Sequence, residues 1–378
     1  MNRGDRWLIV LPLVLTAIGV IMVYSSSAIL GITRYQDPNH FLVKQAARAA
    51  LGVVVLVACT RVDLRRLEVL APWLLGLAAL LLGFTALLGI ASHGSARWLA
   101  IGSHSFQTAD FARLATVVFL ARWLKRRPPH ELGFARGVVP PAAVAGGMAL
   151  LVLAQPNLSS AGLLGLTGIL MVFLAGARFR HLAIPLAAGA AVVVAALATH
   201  PYQMARVDTY IGTLFGGPID SRGPGWQLDQ SLIAIGSGGG LGRGLGRGLQ
   251  KYLFLPEAHT DFIFSILAEE LGFLGSTGLI VLVTLLLWRG MRAATRASDP
   301  FTFLLAGGLT LQIGLYAVVN LAVATGLAPT TGLPFPFVSY GGTALLANLA
   351  AAGLLYRVSG VNGLAEDLAR RRWSQEAP

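Results

Sequence analysis

Residues 255–270 read Leu-Pro-Glu-Ala-His-Thr-Asp-Phe-Ile-Phe-Ser-Ile-Leu-Ala-Glu-Glu, and the next 18 residues, 271–288, carry no charge at all. Four carboxylates, Glu257, Asp261, Glu269 and Glu270, therefore stand at the mouth of a segment long and apolar enough to cross a bilayer. An ionisable group at the edge of hydrocarbon costs several kilocalories unless something offsets it, so these acids mark either chemistry or ion pairing.

The rest of the chain fits the same reading. Of 378 residues 55% are hydrophobic and only 12% charged, about half the charged fraction of a soluble domain. Forty-five glycines suit helices that pack closely in lipid. The single cysteine, Cys59, lies in an apolar stretch and reads as a small core residue. Apolar windows appear at 7–25, 41–60, 69–90, 106–123, 137–154, 158–177, 182–199, 262–288, 301–325 and 339–356. This predicts an all-α polytopic membrane protein of about ten transmembrane helices. The last two windows come from one uncharged stretch broken by Pro329, Pro334 and Pro336.

Residues 3–6, 61–66, 122–136, 178–180, 289–296 and 357–372 hold 19 of the 29 Lys and Arg, whereas the short loops of opposite side hold only Arg34, Lys44, Arg48 and Arg97. The asymmetry places both termini in the cytoplasm. The net charge of +12 accordingly belongs to loops facing anionic lipid, and nucleic acid is not an expected partner. The first window resembles a signal peptide, yet its apolar run is too long for one, and an uncleaved helix is expected. The chain reads as a single membrane domain over 1–378, with a long extracytoplasmic loop at 200–260 between helices seven and eight and a basic cytoplasmic tail at 361–378. Short amphipathic or re-entrant helices are expected within that loop, on the outer face.

Asp261 falls where the loop becomes the eighth helix, with Thr260 or Asp261 itself as the expected cap and Ser265 on the same face. A cap alone does not require Glu257 and His259 on the same turn. A partly desolvated carboxylate there can take a proton from a sugar hydroxyl. Glu269 and Glu270 lie about two turns deeper and are expected to pair with a buried Arg or Lys, with Arg113 as a candidate. Asp110 and Arg113 form an i, i+3 pair, read as structural. Arg97 has no local acid and suits an anion such as pyrophosphate. The segment 236–249, Gly-Ser-Gly-Gly-Gly-Leu-Gly-Arg-Gly-Leu-Gly-Arg-Gly-Leu, lacks the strand and acid of a dinucleotide site; backbone nests with Arg243, Arg247 and Lys251 would instead hold an anion, or the segment is a lipid-facing turn. His93 and His104 lack the companions of a metal site.

Several strings resemble the SEDS family, to which FtsW and RodA belong: Gln155-Pro-Asn-Leu-Ser-Ser-Ala, Gly225-Trp-Gln-Leu-Asp-Gln-Ser, Ala234-Ile-Gly-Ser-Gly-Gly, the 255–264 string, Ala268-Glu-Glu-Leu-Gly, and Pro329-Thr-Thr-Gly-Leu-Pro-Phe-Pro-Phe-Val-Ser-Tyr-Gly-Gly. The resemblance covers the whole chain in order. It implies a peptidoglycan glycosyltransferase of the bacterial cytoplasmic membrane that polymerises lipid II, releases undecaprenyl pyrophosphate and works with a class B penicillin-binding protein. The family's essential aspartate falls on Asp261, its Arg-Trp loop on Arg97-Trp98, and its paired charges on Asp110 and Arg113. Asn157 stands where many relatives have aspartate, Trp226 where the usual residue is tyrosine, and Thr331 where some division-type members have lysine, although the following Gly-Leu-Pro-Phe-Pro leans toward the division branch.

The resulting expectation is an inverting transfer with Asp261 as base and Arg97, Lys251, Arg243, Glu257 and His259 around the substrate. No tightly bound cofactor is expected; a divalent cation, magnesium or manganese, would travel with the pyrophosphate. Two rival readings are a lipid II flippase, since buried charges and broken helices also mark transporters, and a noncatalytic scaffold for division or elongation machinery.

Overall fold

The computed structural model describes the backbone of residues 4–92, 95–101, 104–199, 201–214 and 224–376, with side chains described for these except 90–96, 100–104, 201–202, 213–214, 224 and 362–376. Among the described residues, thirteen α-helices run in the order α1 (Trp7–Tyr35), α2 (His40–Thr60), α3 (Leu64–Leu88), α4 (Thr108–Arg126), α5 (Pro129–Gly133), α6 (Val139–Leu153), α7 (Leu158–Leu174), α8 (Phe179–Thr199), α9 (Pro201–Leu214), α10 (Pro224–Ser237), α11 (Ile263–Thr295), α12 (Pro300–Ala324) and α13 (Gly342–Glu376). Among the described residues, eight helical segments are long and apolar enough to cross a membrane. The apolar α7, at 17 residues, and α4, which carries a buried ion pair, pack among them and complete a ten-helix bundle. The chain is a multi-pass membrane protein.

One element departs from the all-helical expectation. Strands β1 (Ile90–Ser92), β2 (Ser95–Ile101) and β3 (His104–Phe106) form a small antiparallel sheet in that order between α3 and α4. It places Arg97 on the middle strand, above the ends of both helices.

The core is dense around α12, most of whose residues are buried, including Leu305, Ala306, Leu309 and Ala317. Against it lies α11, which is not one straight helix. Gly272 has φ 65° and ψ −162°, a conformation that only glycine adopts without strain. Across the α11/α12 contact a Cβ on Gly290 would meet Thr310, and one on Gly314 would meet Leu287, so Ala324 is level with about Ser276. In a straight helix Ser265 would then lie about 16 Å beyond Ala324. Instead one hydroxyl, that of Ser231, lies 2.6 Å from Ser265 Oγ and donates to the Ala324 carbonyl at 2.7 Å. The chain turns at Gly272, and the short helix 263–271 lies back against α10 and α12.

A broken helix in lipid must have its freed backbone groups bonded elsewhere. The glycine-rich segment after α10 does this from both sides. Arg243 and Gly244 donate their backbone N–H groups to the carbonyls of Glu269 and Glu270, and the N–H groups of Phe273 and Leu274 go to the carbonyls of Gly239 and Gly240. Gly242, with φ 81°, approaches so closely that a Cβ would collide with the Glu270 carbonyl. The segment is thus a splice for α11. Its Arg243 and Gly244 N–H groups are spent on helix carbonyls, so neither of the two readings offered for it, an anion nest or a lipid-facing turn, describes it.

Candidate functional site

Two irregular stretches meet at the non-α11 ends of α10 and α12. One is 249–262, leading into α11; the other is 325–341, between α12 and α13. The prolines that end α12 do not leave an exposed loop, because Leu333, Phe335, Phe337 and Val338 are all buried. Buried backbone must be paired, and here it is paired across the two stretches. Tyr340 donates its N–H to the His259 carbonyl at 2.9 Å, and Ser339 Oγ donates to the Thr260 carbonyl while accepting the Phe335 N–H at 2.8 Å. The string His259-Thr260-Asp261 is therefore held through its main chain, leaving its side chains to do other things.

Asp261 lies in a turn just before the helix, and neither it nor Thr260 is the cap expected there. The first helical residue is Ile263, the cap position is Phe262, and no side chain caps it. The Glu257 carbonyl accepts the N–H groups of Thr260, Asp261 and Phe262, and the Thr260 hydroxyl donates to the Glu257 carboxylate at 2.9 Å. This closes the turn without using the Asp261 carboxylate. That carboxylate faces Gly332, where a Cβ would stand 3.7 Å from Oδ2. Burial, and then the negative charge of Glu257, push the Asp261 carboxyl up to about 7, against the opposing pull of Arg206, a Thr260 hydrogen bond and Arg97. A half-ionised carboxylate at neutral pH is suited to accepting and returning a proton.

Two cations reach this acid from separate elements. Arg97, on β2, donates to the Pro156 carbonyl beside the start of α7. Arg206, on α9, donates to the Thr330 carbonyl at 3.2 Å and so is held by the same stretch that faces Asp261. Arg206 escaped the reading of the sequence, because it lies in a loop whose helical register could not be set in advance. The available signal was the first of four arginines in the long loop, 55 residues before the acid.

His259 is buried between Phe41 and Tyr340, with ring centroids 4.9 and 5.4 Å away. Burial lowers the pKa of its imidazole. Arg48 lies over the other partner ring, 4.6 Å from the Tyr340 centroid.

The remaining predicted residues sit apart from Asp261. Lys251 is buried and pairs with Glu270 at 3.0 Å, with Ser25 of α1 donating to the same carboxylate at 2.7 Å; its third contact is the Gly246 carbonyl. Glu269 accepts the N–H groups of Leu249 at 2.7 Å and Gln250 at 3.2 Å, with Arg243 at 3.8 Å. Lys251 and Arg243 are therefore partners of the deep acids, and Arg113 is not. Arg113 lies 3.5 Å from Asp110, donates to Asn348 at 3.0 Å and stacks over Tyr316, while Thr343 donates to Asp110 at 2.6 Å. Among the described residues no three His, Cys, Asp or Glu side chains converge as metal ligands.

A family model described as the cell cycle protein FtsW/RodA/SpoVE matches residues 5–362. The chain belongs to this family. It is 36% identical over 357 residues to the stage V sporulation protein E of Bacillus subtilis (strain 168), covering 94% of this chain and 96% of that one. It is 39% identical over 364 residues to a probable peptidoglycan glycosyltransferase FtsW of Alkalilimnicola ehrlichii, covering 94% and 89%. Among solved structures, a chain of a peptidoglycan synthase complex that coordinates polymerization and crosslinking superposes with TM-score 0.78 at 31% identity, covering 94% and 97%. The rod shape determining protein RodA of Thermus thermophilus superposes with TM-score 0.70 at 28% identity, covering 94% and 96%.

Proposed function

We propose that this protein is a peptidoglycan glycosyltransferase that polymerises lipid II at the outer face of the bacterial cytoplasmic membrane, with Asp261 as the general base. The observation that carries the reading is the environment of Asp261: a partly buried carboxylate raised to about 7, its main chain fixed from both sides, with Arg97 and Arg206 close enough to act on it. Family membership and the names of the relatives support the reaction class.

Asp261 takes the proton from the acceptor sugar's 4-hydroxyl. The freed oxygen attacks the anomeric carbon of the growing strand, whose bond to undecaprenyl pyrophosphate breaks, and the pyrophosphate leaves with the bonding electrons. The charge that develops is anionic, and Arg97 and Arg206 stabilise it. A divalent cation would travel on the pyrophosphate and offset part of its charge. The superposition on a chain of a synthase complex supports a class B penicillin-binding protein as the crosslinking partner, and the distribution of Lys and Arg supports cytoplasmic termini.

The test is strand formation by the purified protein with its partner transpeptidase in liposomes containing labelled lipid II, with lipid translocation followed in parallel. Glycan strands that depend on this chain support the reading. Translocation without strands would make it a flippase, and neither activity would leave a scaffold.

A further inference from the structure

Asn320, near the end of α12, is buried, and its amide nitrogen donates twice: to the Asp261 carbonyl at 2.8 Å and to the Leu333 carbonyl at 2.7 Å. A carboxamide has two N–H protons, so both are spent. The two carbonyls belong to the two stretches that enclose the site. Leu333 follows Gly332, which faces the Asp261 carboxylate, and Thr330, three residues before Leu333, holds Arg206. Ser339 and Tyr340 tie the same string to the other end of that stretch, at Thr260 and His259. Asn320 alone among these three contacts grips Asp261 itself and the Gly332 side of the site with one group.

We propose that Asn320 is a positioning residue for the reaction: its amide sets the distance between the Asp261 carboxylate and the Thr330–Leu333 backbone that carries Arg206. This rests on Asp261 being the base. The charged groups facing Asp261 are Glu257 on its own turn, Arg206 from α9 and Arg97 from β2. Loosening the Asn320 tie moves the acid away from the cation held at Thr330 and leaves Glu257, which shares its turn, in place. The consequence is a base in the wrong position and with a higher affinity for its proton.

The experiment compares the full-length protein with Asn320→Leu, which removes both donors at similar volume, and Asn320→Ser, which keeps one donor and serves if the leucine variant does not fold. Two readouts are taken with the partner transpeptidase present: kcat and KM for lipid II, and the pH dependence of carbodiimide modification at Asp261, read by peptide mapping. Displacing a catalytic group by about 1 Å costs on the order of a hundredfold, so kcat in Asn320→Leu is expected to fall by about that factor with KM little changed, and Asn320→Ser to lie between. The midpoint of Asp261 modification is expected to move to higher pH. A tie that only supports the fold would lower thermal stability and leave kcat and the midpoint where they were, which overturns the proposal. Because the labelling needs no turnover, it separates the two ideas: a polymerising Asp261→Ala protein would defeat the base assignment, while an unmoved midpoint in a folded Asn320 variant would defeat the positioning role.

Discussion

At the residue scale the four carboxylates of 255–270 divide by what bonds them. Glu269 and Glu270 are fully engaged, by backbone N–H groups in one case and by Lys251 and Ser25 in the other. Removing one member of a buried ion pair leaves an uncompensated charge at a cost of about 3–5 kcal/mol, so Lys251→Ala is expected to lower thermal stability sharply, and Lys251→Ala with Glu270→Gln to recover much of it; differential scanning fluorimetry in detergent reads both. Asp261 behaves differently, because its carboxylate is poised by charges and not neutralised by a partner. Removing Arg206 takes away a cation that favours ionisation, so the acid limb of the kcat/KM profile in Arg206→Ala should move to higher pH. Glu257→Gln removes a repelling anion, and the limb should move to lower pH. Since the base works only when ionised, activity is lost as pH falls through the pKa of Asp261, near 7 in the unmodified protein.

At the scale of elements, the break in α11 joins sequence to site. Gly272 in its left-handed-side conformation and the close approach of Gly242 bring the glycine-rich segment against the helix carbonyls. Without that turn the helix 263–271 could not lie back on α10 and α12, and Asp261 would not meet the 325–341 stretch. Gly272→Ala adds a strained conformation worth about 1–3 kcal/mol as well as a collision with Gly242. Its expected result is a lower melting temperature and loss of polymerisation together, whereas the same substitution at Gly278, where a Cβ meets nothing, should leave both intact. Much of this was hidden in the sequence. Glycines at 236–248 read equally as an anion nest or as a flexible turn, because the feature that decides their role is a second helix break 24 residues away from Gly248, and a glycine's φ is not written in its identity. The small sheet was missed for a different reason: only two glycine-containing pairs, His93-Gly94 and Gly102-Ser103, hint at it, and the apolar windows on both sides dominate any hydropathy reading.

At the scale of the whole molecule, the helix count and the position of the long loop were legible because membrane-length apolar runs are the strongest pattern a sequence carries. Asp261 was legible as a polar cluster at a membrane mouth. Arg206 and the ties from Ser339 and Tyr340 were not, since they depend on how distant segments pack. The bundle orientation rests on charge asymmetry, and cysteine labelling from outside intact cells should reach a residue introduced in place of Tyr35 but not one in place of Arg296. The most direct test of the central claim is the single-turnover rate of strand formation by Asp261→Asn, which keeps the side chain's shape and removes its basicity. General-base catalysis contributes about 10²–10⁴-fold, so the rate should fall by at least that lower bound while lipid II binding and thermal stability remain close to those of the unmodified protein; a rate close to that of the unmodified protein would contradict the assignment of Asp261 as the base.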